Sequence, residues 1–550
     1  MANKDVFVIG VDVGTGSARA ALVSASSGHV RRVAVRETKT WTPRPEYFQQ
    51  STENIWGAVC AAVKEVAQDV PGENIRGIGF DATCSLAVLD QNHLPVTVSP
   101  FGESDQNVIL WMDHRSNSEA AFINSLKPKV LKYVGGTISP EMQTPKLLWL
   151  KKNIPQSWKS AYHFMDLPDF LTWKATGSHS RSLCSLVCKW TYIASEKNKE
   201  GWDENYFKSI GLEDLLENNS AKIGNEVLDP GTPVGKGLSD DAAAQLGLKP
   251  GIKVATSIID AHAGGVGLMG CNAEKISTDF TSRLALISGT STCHMVLSNN
   301  IHFVDGLWGP YWSAMVPNLW LTEGGQTCTG HLVDHIINTH PATSLVKSKL
   351  GANEHIQHYL NGVLEELAKQ KNLSNTSFLT KHLHMWPDFH GNRSPLADPT
   401  LLGMVSGITL AKDEESLAIL YLTTIQALAY GTKHIINALV EGGITNIQSV
   451  LLCGGLSRNP LFVQVHADVL GLPVLCAREP ESVLLGSAVL AAYSAGIYSS
   501  VGEAMIAMGG FADVVTPNEK VVDSRYHDKK FEVFMKMVKD QKEYRDIMEL

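Results

Sequence analysis

No Cys-x-x-Cys occurs in the 550 residues, no long basic run is present, and no apolar stretch approaches the ~18 uninterrupted residues of a membrane span. Each absence removes a class. The nine cysteines stand singly and are odd in number, as expected of reduced, mostly buried thiols inside a cell rather than a disulfide framework. A net charge of −9 without a basic patch leaves no electrostatic footprint for nucleic acid. The chain opens on a charged residue and a strand pattern, with no signal-type apolar region, so the expectation is a cytoplasmic protein with no membrane partner. A Gly-Lys-Ser/Thr ending and a Gly-x-Gly-x-x-Gly run are also missing from the first glycine turn, which excludes a P-loop and a dinucleotide fingerprint there.

What is there is ordinary in bulk: 44% hydrophobic and 19% charged residues, over a length too great for one core. Two large domains are expected.

The chain is organised around residues 6–23, VFVIGVDVGTGSARAALV. Two apolar runs split by Gly14, Thr15, Gly16 and Ser17 predict a hairpin. Bare backbone at the glycines, two hydroxyls and the Arg19 cation suit the terminal phosphates of a nucleotide, and Asp12 suits Mg²⁺. An ordinary turn with locally satisfied side chains would read the same way. The second half of the chain separates the two readings. Residues 284–298, LALISGTSTCHMVLS, repeat the form of strand, Gly/Thr turn and strand. Two such elements predict two related halves, each with a phosphate-facing hairpin.

Between and after them, a third strand is expected over 31–40, a helix over 52–67 and an apolar strand pair broken at 81–85. Helices are expected at 140–152 and 157–176. Asp113 and Arg115 could grip polyol hydroxyls or cap a helix start, and Lys189 could snorkel to the surface or face a pocket wall. Asp260 follows a strand and precedes small residues, where α/β sheets place chemistry, so it is the candidate general base; a helix N-cap is the plain alternative. Residues 270–280 are expected to hold a hinge, and 320–326, with Glu323 beside glycines, to form a sugar-binding or plain loop. An inserted helical piece is expected at 342–375, a tight loop at 390–395 and a long helix at 414–441. A strand ending at Gly454-Gly455 offers bare backbone to a base or ribose. Residues 479–482 should cap a small-residue helix at 484–495, and 531–550 should form a surface helix.

Together, GVDVGTGSARAAL, FDATCSLAVLD, WMDHR, MQTPKLLWL, IIDAHAGG, LISGTSTCHM, GNRSP, LLCGGLSRNP and EPESVLLGSA resemble the FGGY family of carbohydrate kinases, nearest its pentulose branch. The resemblance implies an α/β, two-domain actin-like/ribonuclease H-like ATPase fold with the active site in the interdomain cleft, divided as 1–270 and 271–550. It implies ATP and Mg²⁺ as cofactors, a small-molecule sugar as substrate and a possible homodimer. Asp260 matches the family's catalytic base and Asp12 the position near Mg²⁺. Gly14, Thr15, Gly16, Ser17, Arg19, Gly289 and Thr290 match the phosphate turns, and Gly454, Gly455 and Asn459 the adenosine site. Cys84, Lys189, Asp260 and Glu323 match the sugar pocket. The implied reaction is phosphorylation of D-ribulose. Another sugar or polyol (L-ribulose, D-xylulose) and a catalytically silent sugar sensor are the alternatives. The stretch 403–426 departs from the family's second signature by carrying extra residues.

Overall fold

A computed structural model of the chain describes residues 5–196 and 201–549. The opening apolar runs pair as antiparallel strands Phe7–Val13 and Ser17–Ser24, and Val30–Glu37 adds a third. Helix Thr52–Ala67 follows, its start closed by the Ser51 hydroxyl accepting from the Asn54 N–H. The chain returns as Ile75–Ala82, parallel to the first strand, and the short strands Lys253–Val254 and Ile258–Ile259 pair along its far side. In this register Asp12 lies opposite Asp81, and Ile259 opposite Ala82. The carboxyl ends of three parallel strands thus bring Asp12, Asp81 and Asp260 to one edge of the sheet.

The second sheet follows the same plan. Arg283–Ser288 and Thr292–Ser298 form an antiparallel hairpin, Trp320–Gln326 pairs with its second strand, and Ser449–Cys453 lies parallel to its first. The expected helix at Glu414–Glu441 supplies the crossover. Each half therefore has a hairpin whose turn points the same way relative to its parallel neighbour, as the repeated motif requires.

The halves meet at bare backbone. Helix Ser482–Ser494 lies across the first sheet so closely that a Cβ on Gly10 would stand 2.1 Å from the Leu484 carbonyl oxygen, and one on Gly79 2.1 Å from that of Ser487. Helix Asp260–Met269 packs against the same helix through Gly267 and Gly486. A helix buried on nearly all sides is apolar all round, which is why 482–494 shows no polar face.

Several expectations change. Residues 157–176 are not one helix: Pro155–Ser160 is followed by strand His163–Asp166 and helix Leu167–Thr176. Short apolar runs do not distinguish strand from helix. That strand pairs with Leu86–Leu89, so the two apolar runs around 81–85 are not partners but belong to different sheets. Trp320–Gln326 is a buried strand and not a loop. Glu481 makes no side-chain cap on the helix after it. The expected inserted piece holds helices Thr343–Lys349 and Ile356–Gln370, and 270–280 is an irregular connection tied back through Asn272 to Gly510. The tail forms helix Tyr526–Met548; Leu550, where it was expected to end, lies outside the described residues. Among the described residues no helix is long and apolar enough to cross a membrane. The nine cysteines are unpaired.

Candidate active site

The two hairpin turns open onto one cavity of about 330 Å³. Asp12, Gly14, Thr15 and Arg19 line it from the first half, Gly289, Thr290 and Ser291 from the second, and Asp260 lines it with them. Cys84, Lys189 and Glu323 line the same space. Gly16 and Ser17 sit at the outer tip of the first turn and are not part of the lining. The first turn is held from behind: Gln50 Nε2 donates to the Thr15 carbonyl at 2.8 Å, and Trp111 Nε1 to the Thr15 hydroxyl at 3.1 Å.

Arg19 ties the halves together here. Its Nε is 2.7 Å from Asp12 Oδ2 and its Nη1 is 2.8 Å from Glu481 Oε2. Asp81 is fully buried beside Asp12 and takes the Ser487 hydroxyl on one oxygen. Burial, and then the Asp12 charge, push the Asp81 carboxyl well above the usual carboxylate range. Its second oxygen has no donor of its own; when protonated it would donate toward Asp12.

Asp260 is the first residue of its helix, and one of its oxygens accepts from the Ala261 N–H at 2.7 Å. It does not cap the helix from outside, because Ile259 holds the cap position. Burial pushes its carboxyl up to about 6, the Asp12 charge adds to this, and Ala261, His262 and Lys189 pull it back. A carboxyl in that range is ionised at neutral pH yet basic enough to take a proton.

At the far end, burial works against the Lys189 ammonium, but Cys84, Glu323 and Glu141 outweigh it and raise its pKa. Burial also pushes the Cys84 thiol up to about 12, so at neutral pH the two carboxylates do the holding. Burial opposes Glu141 as an anion too, yet Arg393, His114 and Lys189 bring it down to about 2. Glu323 is 3.4 Å from His262, which burial would keep neutral but which Cys184 and Glu323 shift upward. The Lys189 ammonium lies 4.5 Å from the centre of the Trp308 ring and the Arg393 guanidinium 5.8 Å from it. Alternating cationic and acidic side chains around an indole face make a wall able to offer several donors and acceptors to a polyhydroxylated ligand.

Sequence reasoning missed Asp81, Glu141, His262, Trp308 and Arg393. The charge of Arg393 inside the expected tight loop was a usable signal; Glu141 lies in a stretch with none. Asp113 and Arg115 instead close on each other, Nε to Oδ1 at 2.8 Å and Nη2 to Oδ2 at 2.7 Å, buried and away from the cavity.

A second cavity of about 540 Å³ continues from the first through shared walls at Arg19, Ile287 and Val483, and is floored by Gly454 and Gly455. Gly454 has φ 91° and would place a Cβ 2.1 Å from the Ser288 carbonyl oxygen, just before the second turn. Asn459 lines neither cavity. It caps helix Pro460–Leu470, accepting from the Leu461 N–H at 3.1 Å and donating to the Tyr421 hydroxyl at 2.6 Å.

Residues 7–267 match the N-terminal domain of the FGGY family of carbohydrate kinases, and 284–495 match its C-terminal domain. The chain belongs to this family. As an FGGY carbohydrate kinase it is 52% identical to an FGGY carbohydrate kinase domain-containing protein of Homo sapiens, over 98% of each chain. It is 40% identical to a D-ribulokinase of Saccharomyces cerevisiae, over 88% of this chain and 71% of the yeast protein. Its fold is that of gluconate kinase from Lactobacillus acidophilus, with a TM-score of 0.78, 17% identity and 97% of each chain covered. Xylulose kinase from Rhodospirillum rubrum gives 0.76, 19% identity, and 98% and 99% coverage. The two-domain actin-like/ribonuclease H-like architecture is thus shared by chains of little sequence likeness.

Proposed function

We propose that this FGGY kinase transfers the γ-phosphoryl group of ATP to the terminal hydroxyl of a ketopentose, D-ribulose to D-ribulose 5-phosphate, with Asp260 as general base. The observation that carries this is the place of Asp260. Its carboxylate lines the same cavity as both phosphate-type turns, Lys189 and Glu323, and feels the charges of Asp12 and Lys189. The D-ribulokinase relative supports the choice of sugar.

In this reading the nucleoside lies over Gly454 and Gly455, with Asn459 acting through the loop it anchors, and the phosphates run past Arg19 to Gly289 and Thr290. Residues 1–270 carry the base and the Cys84 and Lys189 part of the sugar side, and 271–550 carry the adenosine side together with Glu323. Asp260 accepts the proton of the terminal hydroxyl as its oxygen bonds to the γ-phosphorus, and the bridging bond breaks to release ADP. Lys189, Glu323 and Cys84 hold the sugar so that this oxygen points at the phosphorus. Positioning and charge neutralisation supply most of the rate, because phosphoryl transfer needs little covalent help. The carboxylate oxygens of Asp12 and Asp260 are hard donors that fit Mg²⁺, and Asp12 is the residue that would hold it; the ion supplies charge neutralisation on the phosphates.

The test is ADP release from ATP·Mg²⁺ by the purified protein against ketopentoses, ketohexoses and polyols, with Asp260→Asn as control. A single strong signal with D-ribulose, lost in the variant, supports the whole proposal. A signal with L-ribulose or D-xylulose keeps the chemistry and replaces the sugar. No sugar-dependent release from folded, ATP-binding protein makes the chain a silent sugar sensor.

A further inference from the structure

On the first half, away from the cleft, three histidines from three separate segments converge. His93 comes from the turn after Leu86–Leu89, His163 from the start of strand His163–Asp166, and His179 from the loop after helix Leu167–Thr176. Their ring centroids are 4.5, 4.8 and 5.1 Å apart, and one ligand nitrogen from each lies within 4.8 Å of the others. His163 is 6% exposed and its Nδ1 has no hydrogen-bond partner, nor has Nε2 of His93. Buried imidazole nitrogens are seldom left without a partner. His93 also holds a left-handed backbone, φ 64°, costly for a histidine. An Asx turn fixes it there, with Asp90 Oδ1 accepting from the Asn92 and Leu94 N–H groups at 2.8 Å.

We propose that His93, His163 and His179 form a binding site for a borderline divalent metal ion of the zinc type. Three imidazoles with no carboxylate among them select zinc, copper or nickel over Mg²⁺. Zn–N bonds of about 2.0–2.1 Å place the nitrogens of a tetrahedral site roughly 3.3 Å apart; the three rings stack within 26° of parallel, so binding turns them about their side-chain bonds until one nitrogen of each faces the ion, His179 doing so on its exposed loop. Burial, with neighbouring Arg181 and the other imidazoles, shifts His163 and His179 toward the neutral form that ligates. The nearby Arg181 guanidinium opposes a cation here, and its own charge is offset by Asp169. The fourth position is left to water on the exposed side. The bound ion ties the loop after Leu167–Thr176 to the strand that ends at Asp166, whose Oδ2 takes Trp190 Nε1 at 2.7 Å and Gln143 Nε2 at 3.0 Å. The site is thus a structural clip on the sheet behind the sugar wall.

The full-length, untagged protein, stripped by chelator and free of Mg²⁺, is titrated with Zn²⁺ by calorimetry and with Co²⁺ by visible absorption. One equivalent should bind, with the intense visible bands of a tetrahedral nitrogen site and a raised melting temperature. His93→Asn, which tolerates the left-handed backbone, and His179→Asn should each weaken binding at least tenfold, while ATP binding in the cleft stays as in the parent. Absence of stoichiometric binding would overturn the proposal. So would one equivalent retained in both variants, which would direct the ion to Cys184, Cys188 and His262, a second buried cluster of possible ligands.

Discussion

Asp12 and Asp81 sit side by side on adjacent parallel strands, in direct register, and burial together with the Asp12 charge raises the Asp81 carboxyl well above the usual carboxylate range. Two carboxylates sharing such a site oppose each other's ionisation. The folded-state pKa of Asp81 lies above its unfolded value, so the folded chain holds a proton that the unfolded chain releases. Stability from this group is therefore present below about pH 4 and declines as pH rises toward the folded value. Asp81→Asn replaces the protonated acid by an amide that can donate to Asp12 at any pH. Its melting temperature relative to the parent should climb from pH 4 to pH 7. A flat difference across that range would show that Asp81 is ionised.

Asp260→Asn should lower kcat by ~10² or more and leave the KM for the sugar roughly unchanged, since the amide keeps the shape and loses the base. Steady-state kinetics with the best sugar of the panel decide it. Near-parental turnover would end the assignment.

The acid limb of the pH profile reports the same carboxylate. With Asp260 held up to about 6, kcat/KM for the sugar should fall as pH drops through 6, because protonation removes the base. A limb near 4, the ordinary carboxylate range, would mean that Asp12 and burial do not act on the reacting group.

Much of this was legible from sequence because two signals are local. A strand, a Gly/Thr turn and a second strand are readable from neighbours alone, and so is the sustained 3.6-residue period of Glu414–Glu441. What was not legible depends on distant partners. Strand His163–Asp166 is too short to declare its period and owes its form to Leu86–Leu89. Glu481 looked like a cap by position, but Arg19 lies within 2.8 Å and wins it. Glu141 and Arg393 become a pair only when residues 252 positions apart meet at 3.3 Å.

Lys189→Met keeps the length and apolar stem of the side chain and removes the cation. Glu323 retains His262 and Glu141 retains Arg393, so the wall should survive. The loss of a charged donor to the sugar is worth roughly 1.5–3 kcal/mol, and kcat/KM for the sugar should fall roughly 10- to 100-fold, with the KM for ATP unchanged. Equal damage to both substrates would place Lys189 on the phosphates instead.

Gly289 and Gly454 separate ligand approach from backbone need. At Gly289 the backbone is not left-handed and an added Cβ meets nothing nearer than the Ser291 carbonyl oxygen, at 4.0 Å. Gly289→Ala should therefore fold with an unchanged melting temperature and still raise the KM for ATP, because the methyl group occupies phosphate space. At Gly454 the φ of 91° and the 2.1 Å approach to Ser288 leave no room. Gly454→Ala should cost about 1–3 kcal/mol or more of stability before any ligand is added. Thermal melts paired with ATP titrations distinguish the two. If Gly289→Ala shifted only the sugar KM, the second turn would not be a phosphate site, and the path of the nucleotide between the two cavities would have to be redrawn.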